Sequence, residues 1–374
     1  MSMKTNLSIL SAALISGAVL ALPPAPVLAE SPAEFYRGKS VTLLVGGSPG
    51  GGYATYAGIL ARHMGRHIPG KPRIVAKSKP GAGSLKAFKV LYKRSKRDGS
   101  IFAAVFQGAL MEPLLGTRGV EFDALKLNYI GELNSEPKVC FAWHTSKVKR
   151  FEDLQTMEMI VGASGSTSGL FQYATVLRNV LGSKLKVIAG YKGSAGVSLA
   201  MQRGETQGMC GFSWSSFNTK HPTWIAEKKV TILVQIGQKP VAMLTKMGVP
   251  EVWKYVKNAD ERLAMELVFS PPGRPYVMPP NVPKDRLEAM RAAFSATLKD
   301  AQFIAETKKS RIAINPSSGA KVEALMRKLY SASPAVVRIA KAALSRAGTI
   351  KCKKITNPKY CRSKKKKKKK KKSS

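Results

Sequence analysis

The hydrophobic pattern changes period repeatedly along the chain. Residues 41–45 (Val-Thr-Leu-Leu-Val) are β-branched or aliphatic, and Pro49-Gly50-Gly51-Gly52 follows as a turn. Beyond it Tyr56, Leu60, Met64 and His67 recur at helical spacing. The reading is a buried strand, a glycine turn and a helix packing back on the strand. Such a turn directs backbone N–H groups outward, and the helix dipole adds partial positive charge there. That arrangement suits a carboxylate or phosphate; equally, glycines serve simply to make a βα turn.

The pattern then repeats. Residues 73–76 read as a strand before a second glycine turn, Lys79-Pro80-Gly81-Ala82-Gly83-Ser84, and a helix carrying Leu85, Phe88 and Leu91. Residues 101–106 are a third strand ending at Gln107-Gly108-Ala109. Alternation of this kind predicts a mostly parallel sheet, with ligands held at the carboxyl ends of its strands. Near residues 134–136 the chain crosses into a second unit. There 138–144 and 159–163 read as strands, and Ser164-Gly165-Ser166-Thr167-Ser168-Gly169 opens a helix through Leu170, Tyr173 and Leu177. Hydroxyls and helix N–H groups again coincide. Strands at 186–189, 210–216 and 230–235 follow, the first leading into Gly190-Tyr191-Lys192-Gly193. A return crossing is placed at 267–272. Helices at 283–298, 301–310, 321–331 and 334–346 are expected to pack on the first unit.

The domain plan is therefore a signal peptide at 1–29, a discontinuous first domain at 30–135 and 268–346, a second domain at 136–267, and a basic tail at 347–374. The leader has Lys4, an apolar run at 7–22 and small residues ending at Ala29, the expected cleavage point. Export to the periplasm is the expectation. No later run approaches the ~18 apolar residues of a membrane span. Charge changes the picture next. The net charge is +40, with sixteen positive charges in 341–374, so the remainder carries +24. A basic body favours anionic ligands or surfaces without identifying either. Lys364–Lys372 cannot bury a core and is expected to be disordered.

Candidate chemistry is sparse. The first glycine turn lacks the Gly-Lys-Ser/Thr of a phosphate loop, and Gly162-Ala163-Ser164-Gly165-Ser166 lacks the fifth-position glycine of a nucleophile elbow. His63 and His67 lie four apart on one helix, which is metal spacing or two solvated or capping residues. No cofactor, metal or catalytic residue is expected. Cys140 and Cys210 sit in apolar contexts, where a disulfide is open to them in an oxidising compartment, and Cys352 and Cys361 lie in the tail. Tyr53, Tyr191 and Trp214 stand beside turns and either wall a ligand or pack in the core; for Phe106 the core is the reading.

Over residues ~34–345 the ordered set Phe35-Tyr36-Arg37-Gly38-Lys39, Pro49-Gly50-Gly51-Gly52, Lys79–Ser84, Lys96–Ser100, Val161–Gly165, Tyr191–Ser194 and Leu199–Gly208 resembles the substrate-binding receptors of tripartite tricarboxylate transporters, the Bug or TctC-like family. The resemblance implies a type II periplasmic-binding-protein-like α/β fold of two domains with a ligand cleft between them. It implies a non-enzymatic, monomeric receptor that delivers a small carboxylate to membrane permease subunits. It places the ligand on Pro49, Gly50, Gly51 and Gly52 from one domain and Ser164, Gly165, Ser166 and Thr167 from the other. Tyr53, Gln107, Gly108, Tyr191, Gly193 and Trp214 complete the expected site. The chain departs from the family pattern at Ala54, where an acid is common, at Ser78 and Lys79, and at Gly169 and Leu170. Fewer acids imply an anionic ligand without an amino group. Two other readings compete: an envelope protein that binds polyanions through its basic surface and Lys364–Lys372, and a receptor feeding a sensor kinase.

Overall fold

The computed structural model describes residue 1 and residues 30–351. The expected signal peptide, Cys352, Cys361 and the lysine run lie outside the described residues. Among the described residues, twelve strands form two sheets. They are β1 (Ser40–Val45), β2 (Arg73–Ser78), β3 (Ile101–Ala104), β4 (Asn128–Glu132), β5 (Lys138–Trp143), β6 (Met159–Ala163), β7 (Leu185–Ala189), β8 (Gly208–Ser213), β9 (Val230–Ile236), β10 (Pro275–Met278), β11 (Ser317–Ser318) and β12 (Ile350–Lys351). Sheet one runs β2-β1-β3-β10-β4-β11, and sheet two runs β12-β7-β6-β8-β5-β9.

The two sheets share one plan. In each, three strands pair in parallel around the first of them, β1 or β6. A strand that has just arrived from the other unit is then inserted antiparallel beside the third: β10 in sheet one, β5 in sheet two. The chain passes from sheet one to sheet two between Glu132 and Lys138, and returns between Phe269 and Pro275.

Sheet one is covered on both faces, and its side chains sort by the period of two that strands impose. Val41, Leu43, Val45, Phe102, Ala104, Ile130, Tyr276 and Met278 enter a core with the helices Gly52–Met64, Lys284–Thr297 and Ala301–Lys309. Leu44, Ala103, Tyr129 and Val277 point the other way, into a second core that continues into sheet two.

Several boundaries differ from expectation. The strand expected to run to Ser216 stops at Ser213, and Trp214–Lys220 is a helix. Gln107-Gly108-Ala109 opens the short helix Gln107–Met111. Strands β4 and β10 were absent from the sequence reading. They are short and flanked by polar residues or prolines, so no strand period accumulates. Helix Pro334–Ala343 packs on helices Gly169–Leu181 and Ala259–Phe269 of the second unit rather than on the first. Its buried Ala340 and Ala343 allow close approach there, and Asn179 donates to the Ala343 carbonyl. The chain then continues to β12, which extends sheet two beside β7.

Cys140 and Cys210 are fully buried and joined by a disulfide between β5 and β8, so the thiols read as possible partners are bonded. The two histidines expected on one helix fall on two elements: His63, on helix Gly52–Met64, bonds Glu306 of helix Ala301–Lys309 (2.6 Å), and His67, in the 3-10 turn Gly65–His67, bonds Asp300 at that helix's N-cap (2.7 Å). Among the described residues no cluster of three or more metal-ligating side chains occurs, and no helix is long and apolar enough to cross a membrane.

Candidate functional site

A cleft opens between the two sheets. Its walls are the loops after parallel strands, as open α/β sheets require. Sheet one contributes Gly47, Ser48, Gly51, Gly52 and Tyr53 after β1, and Phe106 and Gln107 after β3. Sheet two contributes Ser164, Ser168, Gly169 and Leu170 after β6, Gly193 and Ser194 after β7, and Gly211 through Ser213 with Ser216 at the end of β8. Three helices of ten or more residues begin at this cleft, Gly52–Met64, Gly169–Leu181 and Gly193–Gln202, as do the shorter Gln107–Met111 and Trp214–Lys220. None of the longer three has a side-chain cap at its N-terminus, where Gly51, Ser168 and Lys192 stand. First-turn N–H groups of a helix have no partner within the helix, and the dipole makes them attractive to anions.

Two charged side chains line the cleft, Lys138 and Arg274, and no carboxylate does. Both belong to the segments where the chain crosses between sheets. Arg274 is 3% exposed and its guanidinium lies 3.9 Å from the Tyr56 ring centroid. Its Nη2 donates to Ser216 Oγ (2.9 Å) and, at 3.5 Å, to Glu136 Oε1. Glu136 is held mainly by Ser215, whose N–H and hydroxyl donate to it at 2.7 and 2.5 Å. Lys138 is 5% exposed, and its Nζ donates to the Glu136 carbonyl at 3.1 Å. Burial pushes its ammonium down to about 8; Arg274 adds to this, while Glu136 and Glu132 pull against it. Glu132 accepts from the Gly273 N–H, and burial raises its carboxyl above the usual range. Tyr53, tilted against Phe106 with centroids 4.7 Å apart, donates to the Gly273 carbonyl. Burial pushes its phenol up to about 12.

Of the residues expected from sequence, the cleft wall takes Gly51, Gly52, Tyr53, Gln107, Ser164 and Gly193. The others stand apart from it. Pro49 is outside the lining, and Gly50 opens onto a neighbouring hollow with Ser198, Leu199 and His221. Thr167 is fully buried and uses its hydroxyl to clasp the carbonyls of Ala82 and Gly83. Gly165 lies against the Gly83 backbone. These two residues hold the loops of the two units together. A Cβ at Gly83, where φ is +59°, would overlap the Thr167 hydroxyl. Ser166 lines a separate hollow with Glu112, Lys341 and Arg346, and Gly108 packs under Gln172. Tyr191 is buried with its hydroxyl toward Glu205 (3.4 Å), and Trp214 stacks on Phe217. Phe106, read as core, is a wall residue.

Lys138, Arg274 and Ser216 escaped the sequence reading. The available signals were a lysine opening a strand otherwise apolar, and an arginine directly after the Pro271-Pro272-Gly273 turn.

No family model matches the sequence, and no curated protein matches it. Solved structures do share the fold. The periplasmic binding protein BugD is 19% identical, with 84% of this chain and 100% of that one aligned at a TM-score of 0.66. MatC of Rhodopseudomonas palustris with bound malate is 15% identical over 82% and 99% of the two chains, with a TM-score of 0.63. R. palustris Rpa4515 with adipate is 16% identical over 82% and 97%, with a TM-score of 0.62. The fold is that of type II periplasmic binding proteins: two α/β units with a cleft between them.

Proposed function

We propose that this protein is a periplasmic solute receptor that closes its two units on a small carboxylate and delivers it to the subunits of a membrane permease. The observation that carries the reading is the convergence of three uncapped helix N-termini with Lys138 and Arg274 on one cleft that has no acidic wall residue. Donors from both sheets meet there, so a bound anion bridges the units and favours their closure. The two units are the one built on sheet one and the one built on sheet two, the latter taking helix Pro334–Ala343. The malate and adipate in the two R. palustris proteins of the same fold support the carboxylate class. The binding role requires no catalytic group.

Thermal unfolding of the mature protein with a panel of mono-, di- and tricarboxylates tests the proposal. A ligand present at a hundredfold excess over its Kd stabilises the folded state by about 2.7 kcal/mol, which reads as a raised Tm. A panel in which no carboxylate moves the transition, while amino acids or cations do, refutes it.

A further inference from the structure

We propose that Arg274 and Lys138, with Ser216 beside them, form a second anion subsite at the crossing segments, one that takes the far carboxylate of a short dicarboxylate whose near carboxylate lies on the glycine and serine loops. This rests on the receptor reading above and narrows it.

The first ground is unspent donor capacity. A guanidinium carries five N–H donors and an ammonium three. Arg274 Nε is buried and has no partner. Lys138 has the Glu136 carbonyl as acceptor and, among the described residues, no ion pair. Buried donors are almost always satisfied, so an orphan on a cleft-lining arginine calls for a partner.

The second ground is the poor fit of a purely structural ion pair. A structural arginine–carboxylate pair tends to a short, two-pronged geometry. Here a single Nη2 reaches Glu136 at 3.5 Å, while the Glu136 oxygens are spent on Ser215. Glu136 and Glu132 stand behind the cations and off the cleft wall, which leaves the positive side facing the cleft.

The third ground is close approach. A Cβ on Gly52 would lie 2.5 Å from Ser216 Oγ and 3.2 Å from Arg274 Nη1. Glycine at this position therefore lets the guanidinium and the Ser216 hydroxyl reach the first turn of the thirteen-residue helix Gly52–Met64. The far subsite thus adjoins the near one, which fits two carboxylates on one small skeleton.

Isothermal calorimetry on the mature chain tests this with matched probes: succinate, glutarate and adipate against butyrate, pentanoate and hexanoate. Charged hydrogen bonds contribute about 1.5–3 kcal/mol, so at least one diacid should bind about tenfold or more tighter than its monoacid. Lys138→Met and Arg274→Lys should each collapse that ratio. Dicarboxylate affinity should fall as pH rises through about 8, where Lys138 loses its proton, and Lys138→Met should flatten the profile. The charged groups facing Lys138 are Glu136, Glu132 and Arg274. Matched probes binding within about threefold of each other, or both variants keeping the ratio and the pH profile, overturn the subsite while leaving the receptor reading intact. Binding by none of the six probes overturns the subsite, and the thermal panel with its tricarboxylates then decides the receptor reading.

Discussion

Lys138 opens a strand whose six side chains are all buried, so its ammonium sits where charge is disfavoured. Its ordinary value of 10.5 falls to about 8 in the folded protein. The unfolded chain therefore holds a proton that the folded chain has released between pH 8 and 10.5. Below pH 8 the charged lysine costs the folded state on the order of 3 kcal/mol, and the cost fades as pH rises through that window. Chemical denaturation of Lys138→Met beside the wild type checks this. The variant should be the more stable at pH 7, with the gap narrowing toward pH 10.5; a gap that does not change with pH contradicts it. Nothing in the local sequence marks the residue's fate, because Lys-Val-Cys-Phe-Ala-Trp could equally open at a solvated edge. The charges acting on it are Glu136, Arg274 and Glu132, and Arg274 lies far along the chain.

Among elements, the units that combine strand, glycine turn and helix were legible, since each carries a change of period from two to 3.6 within a short span. Strands β4 and β10 were not. β10 begins at Pro275 and is four residues long, and β4 is five residues long, so neither contains a full run of alternation. Their strand state is imposed by neighbours already in place on both sides. The other inserted strand, β5, is stapled to β8 by Cys140–Cys210, which closes a 70-residue separation. By loop-closure entropy such a link stabilises by up to about 4 kcal/mol. Reduction under mild denaturant should lower the midpoint of unfolding correspondingly, as should Cys140→Ala/Cys210→Ala under non-reducing conditions. An unchanged midpoint in both would show that the staple contributes nothing.

For the whole molecule, two observations bear on motion. The loops of the two units touch through Thr167, Gly165 and Gly83, and the chain crosses between sheets in short connections. The two short crossings are where closure turns, while the core shared by the two sheets and helix Pro334–Ala343, which leads to β12, also join the units and limit its range. In small-angle scattering, the ligand-free protein should have a larger radius of gyration than the same protein saturated with a carboxylate that binds it. Equal radii would argue against closure on the ligand.

The sequence by itself determined the α/β alternation, the parallel strand cores and the glycine and hydroxyl turns at their carboxyl ends. Those properties depend on residue type and spacing within a dozen positions, where steric limits and hydrophobic period act directly. Only the tertiary structure decided which turns face each other and which merely pack. It assigned Thr167 to a clasp, Tyr191 and Trp214 to the core, and Phe106 to the wall. It also assembled Lys138, Ser216 and Arg274, which span 136 positions of sequence, around the start of one helix. A cluster of that kind has no local signature, because its charges are brought together by two crossings of the chain and not by any period within it.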